Sequence, residues 1–367
     1  FDKASTMDNV ISMGIGEPDM ATPELVCRAG NEALEKGITH YTPNAGTLAL
    51  RRAIAEKSNL KGVGYDPATE IIITNGGMGA LSLLFLVLLN PGDEVLIQDP
   101  QWLNYVAQVR YCGGEAVRVP TDLEHNFTMQ PEAIEQCITP RTKALMINSP
   151  NNPTGSVLSL EEMRELVEIA KSVDAWIICD EMYRGLDEEY MPSFADLYDK
   201  AIVTASSSKI YSMAGTRVGW IICHDAETRK RLFNWRSYDS ICGGIFDEWI
   251  FAIALDHVDK IFERSRKIVN ANKAVIDKWI EKNPYLHQYA DAHGTTYLVH
   301  YDLDVPAEKF CDDLLDQKGV LVCHGDCFYI PHTFRITLSH AHELEEGLRR
   351  IDEYIDELVA QGKAIKN

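Results

Sequence analysis

The chain has 367 residues, 46% hydrophobic and 25% charged, the balance of a soluble globular protein built as two domains or one large α/β unit. Its 35 basic residues against 55 acidic ones leave a formal charge of −20, which argues against nucleic acid or an anionic membrane surface as the main partner. The nine cysteines are scattered and none forms Cys-x-x-Cys, so reduced thiols, no metal site and a cytoplasmic location are expected.

The elements alternate from the start. Strands are predicted at Glu70–Thr74, Glu94–Gln98, Glu115–Val119, Ala144–Asn148, Ala175–Cys179, Ala201–Ser206 and Val218–Cys223. Several are continuous apolar runs, which suits a parallel sheet covered on both faces. Helices are predicted between them. One is Gly79–Leu89, after Gly76-Gly77; another is Leu160–Ser172, opened by Ser159 with Glu161 and Glu162 in its first turn. From about Ser240 the pattern changes. A helical stretch runs from about Phe246 to Lys267 and continues in register to Lys282. Thr295–Asp302, Lys309–Lys318, Val320–Cys323, a strand Phe334–Leu338 and a terminal helix from about Ala341 to Gln361 follow. The expectation is a large α/β domain over residues 30–260 and a smaller α+β domain from residues 1–29 and 261–367. The apolar run Leu81–Leu89 is too short to cross a bilayer, and Phe1–Val10 lacks a signal-peptide pattern.

The densest chemistry lies in Ser206-Ser207-Ser208-Lys209 and in Arg217, eight residues on, with a glycine two residues to either side of it. An amine among hydroxyls near such an arginine can take an aldehyde and a phosphate together, and pyridoxal 5'-phosphate carries both groups. Lys209 would bond the aldehyde carbon, while Ser206 and Arg217 would hold the phosphate. Three further motifs fit the same ligand. Thr74-Asn75-Gly76-Gly77-Met78-Gly79 joins a strand to a helix, so the N–H groups of Gly77 and Met78 can face a phosphate. Asn151-Asn152-Pro153-Thr154-Gly155 fixes a turn after the strand Ala144–Asn148 and aims Asn152 into the crevice beyond it. Asp180 ends the strand Ala175–Cys179, where a carboxylate needs a cation, and a protonated pyridine nitrogen is one. Tyr183 could reach the phenolic oxygen of the same ring, with Glu181 facing away. Each motif alone is also what an ordinary turn or helix cap would give. About 28 residues separate Asn152 from Asp180 and Asp180 from Lys209, roughly one β–α unit each time, which brings all three to one end of neighbouring strands.

In this combination the chain resembles the class I/II aminotransferases, the fold type I family of pyridoxal-phosphate enzymes. The supporting motifs are Gly14-Ile15-Gly16-Glu17-Pro18-Asp19, Tyr41-Thr42-Pro43-Asn44-Ala45-Gly46, the Asn152 and Asp180 motifs, and the Lys209 run. The resemblance implies a mostly parallel seven-stranded sheet sandwiched by helices, with the smaller α+β domain beside it. It implies Lys209 as the cofactor-bonding lysine and proton shuttle, and Asp180 as partner of the ring nitrogen. Asn152 and Tyr183 would bond the phenolic oxygen, with Gly77, Met78, Ser206 and Arg217 on the phosphate. Trp102 would stack on the ring, and Tyr41 would reach the phosphate in a partner subunit, so a homodimer is implied. Arg335 would grip the substrate carboxylate as a bidentate pair, helped by Gly16 and Asn152. The substrates would be an amino acid and a 2-oxo acid, exchanged in ping-pong fashion.

Two stretches depart from common aspartate or aromatic members. Trp235 to Gly244 lacks the expected serine- and threonine-rich pattern and resembles a branch that includes capreomycidine synthase-like proteins, so a carbon–sulfur lyase or cyclase is the alternative reaction. Cys323-His324-Gly325-Asp326-Cys327-Phe328 stands where many members have Pro-Gly before the phenylalanine. His40, Arg236 and His324 are read as surface or hinge residues.

Overall fold

A computed structural model describes residues 2–16, 20–186, 191–290, 292–340 and 342–365. Of the motif residues, Glu17, Pro18 and Asp19 lie outside the described residues, as does Ala341 at the start of the expected last helix. Among the described residues no helix is long and apolar enough to cross a membrane.

The seven expected strands form one sheet. Its order is Ile71–Asn75, Val218–Cys223, Ala201–Ser206, Trp176–Asp180, Thr142–Asn148, Glu94–Asp99 and Glu115–Pro120. Val218–Cys223 runs antiparallel to both neighbours, and the other pairings are parallel. The apolar runs are explained by burial on both faces. Ile71, Ile73, Leu145, Ile147 and Ile177 pack into one core, while their neighbours Ile72, Ala144, Met146 and Ile178 pack into another. Alternate side chains of one strand therefore feed opposite layers of helices.

The helix after the first strand begins at Gly76 rather than Gly79. Gly76 has φ +70, and the backbone of Gly219 packs so tightly against it that a side chain on Gly219 would collide. This packing starts the helix directly at the strand end. The Leu160–Ser172 helix starts as expected: Ser159 Oγ accepts from the Glu162 N–H at 3.2 Å, and Glu162 Oε2 accepts from the Ser159 N–H at 2.7 Å.

Three further readings need correction. The stretch Phe246–Lys282 is not one helix but Ile245–Leu255 followed by Val258–Lys282. The last turn of the first tightens, with Asp256 N–H bonded to Ile253 O and His257 N–H to Ala254 O, and the helix ends there. The second helix then carries Val258, Ile261 and Phe262 in the first core and Val269, Ile276 and Trp279 in a separate one. Val320–Cys323 is likewise split. Val320–Leu321 pairs parallel with Ile11–Ser12, while Cys323–His324 joins an antiparallel sheet with Thr333–Thr337, Thr296–Tyr301 and Leu286–Gln288. Val322 between them is buried, so the strand passes from one sheet to the other through the core. Arg236 is not a surface or hinge residue. It is 1% exposed and donates Nε to Asn44 O at 2.6 Å.

Candidate active site

The parallel register sets Asn148 beside Asp180, and Asp180 beside Thr204, at the carboxyl ends of three adjacent strands. A cavity of about 290 Å³ opens there, bounded by Gly77, Trp102, Asn152, Tyr183, Lys209 and Arg335. Met78, Arg217 and Gly16 also border it. Asp180 and Ser206 lie beneath its floor, 1% and 0% exposed, and Tyr41 stands apart, 83% exposed.

Asp180 is held by donors rather than by a charge. Its Oδ2 accepts from the Tyr105 hydroxyl at 2.9 Å and its Oδ1 from the Met182 N–H at 3.3 Å. Among the described residues no basic side chain lies within ion-pair distance of it. Burial pushes its carboxyl up to about 6, partly offset by these hydrogen bonds. Glu181 turns the other way, to Ser193 Oγ at 2.9 Å and the Phe194 N–H at 3.3 Å.

Lys209 Nζ donates to Gly16 O at 2.8 Å, which ties the amine to the N-terminal segment. Asn152 is fixed by its own N–H, which donates to Asn148 Oδ1 at 2.8 Å. Its Nδ2 donates to the Tyr183 hydroxyl at 3.5 Å, and its Oδ1 accepts from Arg335 Nη1 at 2.8 Å. Burial pushes Tyr183 up to about 12, against the pull of the Arg335 charge. Arg335 is 7% exposed; its Nη2 donates to Gly14 O at 2.7 Å, and its buried Nε has no hydrogen-bond partner among the described residues. A buried guanidinium with an unused donor is suited to a carboxylate.

At the opposite end, the first turn of the helix Gly76–Leu88 presents Gly77 and Met78. The Arg217 guanidinium packs over Gly76, where a side chain would collide with it, and Nη1 donates to Ala214 O at 2.7 Å. Arg217 adopts a left-handed backbone, φ 50, which aims it back at that helix start. Ser206 Oγ accepts from the Ser208 N–H at 3.3 Å, and its side chain lies under Gly77. Trp102 meets the Tyr105 ring edge-on, with centroids 5.3 Å apart.

These residues fit pyridoxal 5'-phosphate. A buried carboxylate with no ion-pair partner among the described residues matches the ring nitrogen, and a helix start with an arginine matches the phosphate. An amine borders the space between. Two residues of the site were missed from sequence. Tyr105 supplies the hydroxyl on Asp180, and Asn148 donates Nδ2 to Asp180 O at 2.9 Å while anchoring Asn152. Tyr105 lies three residues after Trp102, at the start of the helix Asn104–Tyr111, and that nearness to a predicted site residue was the available signal.

Comparison with known proteins agrees with this geometry. The family described as aminotransferase class I and II matches residues 8–351. Aromatic-amino-acid aminotransferase 2 of Thermococcus litoralis is 31% identical, across 97% of this chain and 94% of its own. The aspartate aminotransferase of Pyrococcus abyssi is 32% identical, with the same coverage. The solved aspartate aminotransferase of Thermus thermophilus with maleate superposes with a TM-score of 0.88 at 30% identity, covering 96% of this chain and 94% of that one. The chain belongs to the class I and II aminotransferases, and it is an enzyme dependent on pyridoxal 5'-phosphate.

Proposed function

We propose that the protein moves an amino group from an L-amino acid to a 2-oxo acid, with each residue of the cavity in the role its position favours. The observation that carries this assignment is a buried Asp180 with no ion-pair partner among the described residues and a buried Arg335 with a spare donor, on either side of one amine. When bound, the cofactor supplies an aldehyde for the amino group and a ring that draws electrons from the substrate Cα. Asp180 keeps the ring nitrogen protonated. Asn152 and Tyr183 hold the phenolic oxygen, and Trp102 covers the ring. Gly77, Met78, Ser206 and Arg217 hold the phosphate. Arg335 fixes the substrate carboxylate, with Gly16 and Asn152 beside it, so that the Cα proton faces Lys209. Lys209 Nζ, which borders the cavity between these groups, takes that proton. Ile15, next to Gly16, gives the cavity an apolar side, which favours a donor with an uncharged side chain. The relatives themselves carry both aromatic and aspartate names.

The same reading includes a homodimer in which Tyr41 reaches the phosphate of the partner subunit. It is supported by the exposure of Tyr41, Trp235, Tyr238 and Ile241, on segments joined by the Arg236–Asn44 contact. A cytoplasmic location and the division into residues 30–260 and 1–29 with 261–367 belong to it too. The separate cores support two units, while Val26, Ile261 and Phe262, which lie outside residues 30–260, pack into the first core. The test is a panel of amino acids and 2-oxo acids with the cofactor-loaded protein. Paired, saturable exchange supports the reading, and steady release of ammonia or a cleaved fragment from one amino acid alone would favour a lyase.

A further inference from the structure

Arg335 has a pair of cysteines beside it. In the antiparallel register Cys323 lies directly opposite Arg335, which puts the two side chains on one face of the sheet. Cys327 sits four residues on, in the tight turn Gly325–Phe328 that follows the strand Cys323–His324. Both cysteines pack on the same small apolar cluster of Leu298, Phe328 and Ile330. Cys327 Sγ is 3.3 Å from His324 Nε2. Phe328, next in the chain, places its ring 5.3 Å from Arg335 Cζ. Both thiols are partly exposed.

The two differ from the buried cysteines of the chain. Burial pushes the thiols of Cys179, Cys223 and Cys311 up and leaves them inert. The Cys323 thiol is held below its ordinary range, first by the hydrogen bond from Cys327 and then by the charges of Arg335 and His324, against the effect of burial. The same hydrogen bond and burial hold the Cys327 thiol up, so it keeps its proton. One sulfur is thus set to attack and the other to resolve.

We propose that Cys323 and Cys327 form a peroxide-responsive dithiol whose disulfide loosens the hold of Arg335 on the substrate carboxylate. This rests on the carboxylate role given to Arg335 above. The Cys323 thiolate attacks one oxygen of hydrogen peroxide, the O–O bond breaks, and the departing hydroxide is protonated to water. Cys327 then attacks the oxidised sulfur, its proton goes to the departing hydroxide, and a second water leaves as the S–S bond closes. Two thiols and one peroxide give one disulfide and two waters. Closure brings the sulfurs to about 2.05 Å and draws the turn carrying Phe328 toward the strand opposite Arg335. A guanidinium moved by about an ångström loses much of its value in positioning a substrate.

The test uses the whole cofactor-loaded protein, treated with hydrogen peroxide, alkylated and digested with trypsin without reductant. The peptide Gly319–Arg335 contains these two cysteines and no other. It is expected to lose the mass of two hydrogens, to resist alkylation, and to regain both thiols with dithiothreitol. KM for the amino donor is expected to rise roughly tenfold or more, with a smaller change in kcat, and to recover on reduction. Cys327→Ser is expected to start with the native KM and to form no bridge. Thiols that remain open to alkylation after peroxide would overturn the proposal, as would a bridged protein with an unchanged KM. The peptide mass reads the bridge without turnover. A bridge in a protein inert toward every amino acid would instead remove the carboxylate role of Arg335, and with it the aminotransferase reading.

Discussion

Arg335 and Asn152 are joined by a hydrogen bond of 2.8 Å from Nη1 to Oδ1, so the group proposed for the substrate carboxylate is fixed by the group proposed for the cofactor oxygen. Asn152 faces the Tyr183 hydroxyl with its other end, at 3.5 Å. Asn152→Ala removes both links at once. We expect kcat/KM to fall about ten- to a hundredfold, the value of one or two hydrogen bonds to charged or reacting groups. The pH at which the bound cofactor changes colour should shift as well. A spectral titration alongside steady-state kinetics checks this. A fall in kcat/KM with an unmoved titration would leave Asn152 only a structural role.

Tyr105→Phe removes the hydroxyl that donates to Asp180. The carboxyl, already pushed up to about 6 by burial, should rise further and offer less charge to the ring nitrogen. We expect the dissociation constant for pyridoxal phosphate to rise about tenfold, equivalent to roughly 1.4 kcal/mol. Equilibrium titration with the cofactor measures it, and an unchanged constant would show that Asp180 needs no help from Tyr105.

Asp180 should also make the cofactor-free protein pH-sensitive. Its folded value is raised above the ordinary carboxylate value of 3.8, so the folded state binds the proton more tightly and stability falls as pH rises from about 4 to about 6. The cost reaches at most about 3 kcal/mol above that window. Asp180→Asn carries no such cost. Relative to wild type, the cofactor-free variant should therefore gain stability between pH 4.5 and 7.5. With cofactor bound, wild type should be the more stable at pH 7.5. Denaturant melts at the two pH values decide it, and a gap that does not change with pH would contradict the account.

The positions of Asn152, Asp180 and Lys209 were legible because each closes or shortly follows an apolar run and about 28 residues separate one from the next, and a parallel sheet turns such equal spacing into neighbouring strand ends. Tyr105 and Asn148 were not legible. Their roles depend on which strands lie side by side: Thr142–Asn148 borders Trp176–Asp180, and the Tyr105 helix leans across from the next connection. No local pattern carries that order. The break at Asp256–His257 was hidden because the apolar spacing continues through it, although the side chains change cores further on. The split of Val320–Cys323 was hidden for the same reason. Four apolar or small residues in a row read as one strand, yet they serve two sheets.

Lys209→Ala should bind pyridoxal phosphate without covalent attachment, since the phosphate contacts of Ser206 and Arg217 remain. Borohydride treatment followed by mass spectrometry should add the cofactor to wild type at Lys209 and add nothing to the variant. Turnover should fall by at least about 10³-fold, the scale for losing a positioned proton-transfer group. A reduced adduct on another lysine would contradict the assignment.

The most direct test of the central claim is a single half-reaction. Cofactor-loaded protein is mixed with one amino acid and no acceptor, and the visible band of the lysine-bound cofactor is followed together with the 2-oxo acid released. The account predicts that the band disappears with one equivalent of 2-oxo acid per active site, and that adding a different 2-oxo acid restores it. A band that persists while ammonia or pyruvate accumulates beyond one equivalent would contradict it.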